Sequence, residues 1–386
     1  MAYSYKCSIS FGLVYIPVTL HASVKTQDVG FNMLDKKTMS RVKYKKTCEE
    51  CDGREVKQED IVKGYEYEDD KYVVFTEEDF EKLKTKKDKK GIFASECCAT
   101  GTTRGWYFGD DNKLGYLSAY DKDTSVFWRG REFTWKFLAK HEWLLGGYQW
   151  TAFEHRGEAV WPRVCSQSGA VDLFMQKKDA FWQNQSHWTN YKEKPMVHLL
   201  PHWNFAGMEG EKIRVVAYTN APEVQLIVNG KSFGRQTLDL YGHGEWEVPY
   251  VPGYIEARAY DEKGKLIASD RKVTAGPPAK LILSLDTKDI KANGKDIALL
   301  SCYVVDEFGN EVPDADPIVR FTAEGVGEIL STGSDISDHD TIYTGIRKMR
   351  AGRIGIAVKL SNQPGELCII ASADNIASGV LKINVF

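Results

Sequence analysis

Three groups of side chains have the types and spacing for chemistry. Cys48 and Cys51 stand in the Cys-x-x-Cys spacing of one half of a zinc-ribbon knuckle. A structural zinc site needs a second pair, and Cys97-Cys98 has the wrong spacing to supply it, so free thiols in a turn are the competing reading. The lysines between Lys36 and Lys46 have the charge to meet phosphate. Acids roughly balance lysines over residues 1–90, so a solvated face accounts for them as well. Finally, Glu96 ends the short apolar run Gly91 to Ser95. That puts a carboxylate at the C-terminal end of a strand, the face on which β/α barrels carry their chemistry. A Ser-Glu pair after a strand is weak evidence when it stands alone.

The elements that must position these groups fall into two textures. At 386 residues, with 42% hydrophobic and 27% charged residues, the chain has room for two to four soluble domains. A formal net charge of -3 excludes a strongly basic nucleic-acid binder as a whole-chain reading. All ten tryptophans lie between Trp106 and Trp246, whereas residues 1–90 hold one proline, Pro17, and end in the lysine-rich run Lys82 to Lys90. The eight cysteines form no dense framework and read as reduced thiols. The stretch Ile9 to Leu20 is broken by Gly12 and Pro17 and alternates like a strand, which argues against a signal peptide. No run of eighteen apolar residues exists, so a cytoplasmic chain without a membrane span is expected.

Residues 6–20 read as one long strand with Gly12 as a bulge, followed by short strands at Arg41 to Tyr44 and Tyr72 to Phe75. Thr76 caps a short helix through Leu83, and Lys84 to Lys90 reads as an exposed linker. Gly91 to Ser95 reads as a buried strand, Phe127 to His141 as a helix and Trp143 to Phe153 as a strand, the texture of a β/α barrel. After Pro195 come short alternating strands at Ile213 to Tyr218, Val224 to Val228, Gly244 to Val248 and Tyr254 to Tyr260, with a tight turn at Asn229-Gly230. Thr274 to Ala279 reads as a linker. A second set of strands follows at Lys280 to Leu285, Ile297 to Asp306, Ile318 to Ala323, Ile354 to Leu360 and Glu366 to Ala373.

The N-terminal motifs resemble prokaryotic Ku, the DNA-end-binding family of nonhomologous end joining. They are Ser8-Ile9-Ser10-Phe11-Gly12-Leu13-Val14, Ile16-Pro17-Val18, Arg41 to Lys46, Cys48-Glu49-Glu50-Cys51 and Ile61 to Tyr67, in the family's order. They cover only the front of a Ku subunit, so the resemblance implies contact with double-stranded DNA ends but no ring around DNA.

From Gly91 onward the order of motifs resembles the C-terminal part of a family 2 glycoside hydrolase of β-galactosidase type. Ala94-Ser95-Glu96 is similar to the end of barrel strand seven, and Gly147 to Glu158 to strand eight and its loop. Trp161-Pro162, Ser166 to Gly169, Pro201 to Asn204, Asn220 to Val224 and Asn293 to Asp296 continue the match. The resemblance implies Glu96 as nucleophile, Trp150 as a platform under the sugar ring, and Glu154 and Arg156 as substrate-binding side chains. A core tryptophan remains the competing reading of Trp150. The family's acid/base follows an asparagine, and the one Asn-Glu pair here is Asn310-Glu311, in the last strand set.

The expected fold is therefore multidomain and mainly β, in four parts. These are a partial Ku-type β-barrel over 1–90, a fragment of a glycoside hydrolase TIM barrel over 91–194, and immunoglobulin-like β-sandwiches over 195–275 and 276–386. The join near Lys87 to Gly91 cuts both folds, which reads as a chimera. Carbohydrate is the expected partner, no cofactor is expected, and the chain alone is expected to be catalytically incomplete. The alternatives are a DNA-binding Ku fragment and a split glycosidase that needs a second chain.

Overall fold

The structure is a computed structural model that describes residues 4–11, 14–21, 31–35, 37, 61–68, 71–75, 92–122, 129–142, 144–287 and 290–386. Among the described residues there are 22 strands and two helices, a mainly β architecture. The backbone divides into two compact units, Met1–Cys7 with Thr19–Gly91, and Ser8–Val18 with Ile92–Phe386.

Strands β1 (Ser4–Phe11) and β2 (Val14–His21) form a two-stranded sheet. The single long strand expected over 6–20 is thus two strands, divided around Gly12 where a bulge was anticipated. In the first unit β3 (Phe31–Asp35), β4 (Ile61–Glu68) and β5 (Lys71–Phe75) make an antiparallel meander. The strand expected at Arg41 to Tyr44, the helix expected from Thr76 to Leu83 and the Cys48-Cys51 pair lie outside the described residues.

From Ile92 the second unit continues with β6 (Ile92–Cys97), then α1 (Arg131–Lys140) and β7 (Leu144–Gln149), with β7 parallel to β6. This strand–helix–strand order is the expected barrel fragment. Helix α1 begins at Arg131, later than anticipated, because Asp121 caps it from outside. Its two carboxylate oxygens accept the free N–H groups of Arg131 and Glu132 at 3.0 and 3.1 Å. Strand β6 is not buried as expected. With one neighbouring strand among the described residues, it leaves Phe93 49% exposed, and Leu145 and Tyr148 of β7 are barer still. Helix α2 (Asp179–Trp188) follows, with Asp179 held by Tyr107 Oη at 2.9 Å and His198 Nε2 at 2.7 Å.

The next seven strands build two facing sheets. One runs in the order β11 (Lys231–Thr237), β10 (Glu223–Val228), β13 (Tyr254–Tyr260), β14 (Leu266–Val273). The other runs β12 (His243–Pro249), β9 (Lys212–Thr219), β8 (Val197–Leu200). Alternate residues point inward, as Gly244, Trp246 and Val248 do on β12 and Ile255, Ala257 and Ala259 on β13. They close a core around Trp203, whose indole donates to Val251 O at 3.0 Å. Asn229 and Gly230 both adopt positive φ, 46° and 83°, which gives the expected tight turn between β10 and β11.

The last eight strands form one continuous sheet in the order β18 (Gly327–Gly333), β20 (Arg353–Leu360), β16 (Ile297–Val305), β15 (Lys280–Leu285), β22 (Ile376–Val385), β21 (Gly365–Ala373), β17 (Ile318–Gly325), β19 (Ile346–Lys348). The sheet folds over one core, in which Leu281, Leu300 and Ile356 pack with Val319, Leu367 and Ile369.

Thr274 to Ala279 is not a loose linker. Thr274 Oγ1 donates to Trp203 O at 2.6 Å, Ala275 N to Asn204 Oδ1 at 2.9 Å and Gly276 N to Asp306 Oδ2 at 2.9 Å. The barrel fragment is tied down in the same way. Arg104 Nε donates to Asp172 Oδ2 at 2.7 Å, Nη1 to Arg350 O and Ala351 O, and Nη2 to Ser334 O. Limited trypsin digestion should therefore first cut the Lys82 to Lys90 run and leave a resistant product starting near Ile92. A resistant product starting near Pro195 would show that the barrel fragment is not held by these bonds.

Candidate functional site

Parallel pairing of β6 and β7 brings two of the expected site residues to one edge. Ala94 lies opposite Gly147 and Cys97 opposite Gln149, and Trp150 N extends the ladder by donating to Cys97 O at 2.8 Å. Glu96 and Trp150 therefore leave neighbouring strands at the same C-terminal end. The close approach depends on Gly147, where a Cβ would stand 2.7 Å from Cys97 Sγ. Glu96 is exposed, and its carboxylate makes no hydrogen bond or ion pair with a described residue.

Trp150 is half-buried and belongs to none of the buried apolar clusters among the described residues. Loop side chains hold its indole. Nε1 donates to Glu158 Oε2 at 3.3 Å, and the ring meets His155 edge-on at 5.5 Å. Gly157 and Glu158 reach this position through positive φ, 140° and 49°. Glu158 was not among the residues expected to matter. Its position in the polar turn was visible, but its contact eight residues back was not.

Glu154, expected at the substrate, is 1% exposed, and its carboxylate is buried behind the loop that holds Trp150. Oε1 accepts from Lys178 Nζ at 2.6 Å and Oε2 from Leu173 N at 3.2 Å. Burial raises the Glu154 carboxyl to about 7 against the pull of Lys178, and burial also lowers the Lys178 ammonium. Lys178 Nζ donates as well to Gln167 O at 2.8 Å, so one ammonium joins three segments. Gly169 completes the seam, since a Cβ there would stand 2.2 Å from Glu154 N. Arg156 is exposed on the same loop, with no hydrogen bond or ion pair to a described residue.

The remaining expected residues do not join this edge. Glu311 of the Asn310-Glu311 pair is ion-paired with Arg353 at 2.6 Å in the last sheet. Cys48 and Cys51 lie outside the described residues, among which no cluster of three or more metal-ligating side chains occurs. Lys178→Met should cost about 3–5 kcal/mol in denaturant unfolding, because it strands a buried carboxylate. Adding Glu154→Leu should recover much of that loss. Additive losses in the double variant would mean that the pair does not act as a unit.

Known families and proteins match different parts of the chain. The Ku70/Ku80 beta-barrel domain matches residues 10–112, a domain of unknown function (DUF4982) matches 210–268, and glycoside hydrolase family 2 C-terminal domain 5 matches 281–382. A beta-galactosidase of Bacteroides ovatus is 35% identical over 274 residues, covering 69% of this chain and 31% of that protein. A non-homologous end joining protein Ku of Lachnoclostridium phytofermentans is 56% identical over 86 residues, covering 22% of this chain and 33% of that protein. The crystal structure of a beta-glycosidase from Bacteroides vulgatus superposes with a TM-score of 0.70 at 26% identity, covering 80% of this chain and 43% of that one. The chain thus spans about a third of the length of the curated relatives it matches. Its N-terminal part is thus similar to the Ku β-barrel domain and its remainder to the C-terminal portion of family 2 glycoside hydrolases.

Proposed function

We propose that this chain by itself binds a β-linked sugar of the galactoside class at the strand ends carrying Glu96 and Trp150, and does not hydrolyse it. The observation that carries this reading is the shared C-terminal edge of β6 and β7, where the exposed Glu96 and the half-buried Trp150 stand at the ends of adjacent strands. The sugar class comes from the resemblance to the Bacteroides ovatus beta-galactosidase. An indole face suits the C–H face of a pyranose, and a carboxylate below the anomeric carbon suits a retaining nucleophile.

Retaining hydrolysis needs a second carboxylate to protonate the leaving oxygen and then to activate water. The family pattern puts an asparagine before that residue, and the one Asn-Glu pair in the sequence has its glutamate taken by Arg353. General acid–base catalysis is worth about 100- to 10,000-fold, so its loss leaves binding without useful turnover. Titration calorimetry with a β-galactoside should give weak binding, and Trp150→Ala should reduce it up to about tenfold, since an aromatic contact contributes roughly 0.5–1.5 kcal/mol. Unchanged affinity in Trp150→Ala would sink the proposed platform.

A second reading rests on the Ku segment, whose 56% identity to a Ku protein over 86 residues favours contact with DNA ends. Gel shifts should then appear with linear duplex, weaken as salt rises, and fail with closed circles. Equal shifts with both forms would reject end recognition.

A further inference from the structure

We propose that Cys97 and Cys98 are an oxidation site, a vicinal dithiol that closes to a disulfide when peroxide reacts with Cys98. Nothing in the sugar-binding reading requires this pair, and the Cys-x-x-Cys spacing rule passes over it. The two sulfurs are hydrogen-bonded at 3.8 Å, and roughly 1.8 Å of approach reaches the ~2.05 Å of a disulfide. Cys97 is partly exposed at the end of β6, whereas Cys98 is 4% exposed and turns back at φ 58°.

A buried cation, Arg131, adds its charge to the surroundings of Cys98. Arg131 is fully buried, Nη2 donates to Ser168 O at 3.2 Å, and Nη1 lies 3.9 Å from Asp121 Oδ1. Nε and Nη1 make no hydrogen bond with a described residue, which leaves donor capacity for a nearby anion. The Cys98 thiol is brought down to about 7 by its hydrogen bond with Cys97 first, against burial, with Thr134, Arg131 and Gln149 adding to the effect. The thiolate, not the thiol, is the form that attacks a peroxide oxygen.

The chemistry balances with one peroxide. The Cys98 thiolate attacks one peroxide oxygen, the O–O bond breaks, and hydroxide leaves, giving a sulfenic acid at Cys98. Cys97 sulfur then attacks Cys98 sulfur, the S–O bond breaks, and the departing hydroxide takes the Cys97 proton as water. Hydrogen peroxide gains two electrons and the dithiol loses two. Closure must turn the Cys97-Cys98 peptide, whose carbonyl is the acceptor for Trp150 N, so oxidation reaches the site through that bond.

Peptide mass on the full wild-type chain tests this directly. Trypsin releases Gly91 to Arg104 with Cys97 and Cys98 as its two cysteines. After mild hydrogen peroxide and thiol blocking, this peptide should lose two hydrogens and take up no blocking reagent, and dithiothreitol should restore both thiols. In Cys97→Ser the same treatment should leave a Cys98 sulfenic acid that dimedone traps. A wild-type peptide with both thiols still blockable, or one that gains oxygen without losing two hydrogens, overturns the proposal. If Cys97→Ser fails to fold, the wild-type mass alone separates the two outcomes.

Discussion

The buried ion pair between Glu154 and Lys178 is the contact on which the site's wall depends. Its 2.6 Å separation lies among residues almost free of solvent, where a charge pair interacts far more strongly than at a surface. The same burial makes each partner costly alone, because desolvation of a single unpaired charge exceeds several kcal/mol. Glu154 follows the strand end that carries Trp150, and Lys178 stands at the head of α2. Joining them fixes where the Trp150 loop leaves the sheet.

A second contact, centred on Arg104, explains why two strands of a barrel can persist here. Arg104 uses all three guanidinium nitrogens, one on Asp172 and two on carbonyls between Ser334 and Ala351. Gln176 adds a bond to Ser301 at 2.8 Å. The barrel fragment thus leans on the last sheet through these bonds. Phe93, Leu145 and Tyr148 still remain exposed on β6 and β7. In the proposed reading, that incomplete frame still presents Glu96 and Trp150 but offers no second positioned carboxylate.

Much of this was legible in residue order, and the misses have physical causes. Asn229-Gly230 announced its turn because few residue pairs tolerate positive φ twice in succession. Most strands of the two sandwiches showed as short alternating runs, but β8, β11, β14, β18, β19 and β22 did not, since they are very short or mix exposed and apolar positions. Glu154 looked like an exposed acid in a polar turn because its partner, Lys178, is distant in sequence. Arg131 and Asp121 show the same limit, as a cap supplied from outside the helix leaves no local signal. Thr274 to Ala279 read as a linker by composition, yet it is held by Trp203 and Asn204 on one side and Asp306 on the other.

In the proposed reading, Glu96 is a nucleophile-type carboxylate stranded without its partner acid. The most direct measurement is hydrolysis of a nitrophenyl β-galactoside by the purified chain, beside the Glu96→Gln variant. A stranded nucleophile predicts no turnover above background in either protein. Release of nitrophenol by the wild-type chain that disappears in Glu96→Gln would contradict it.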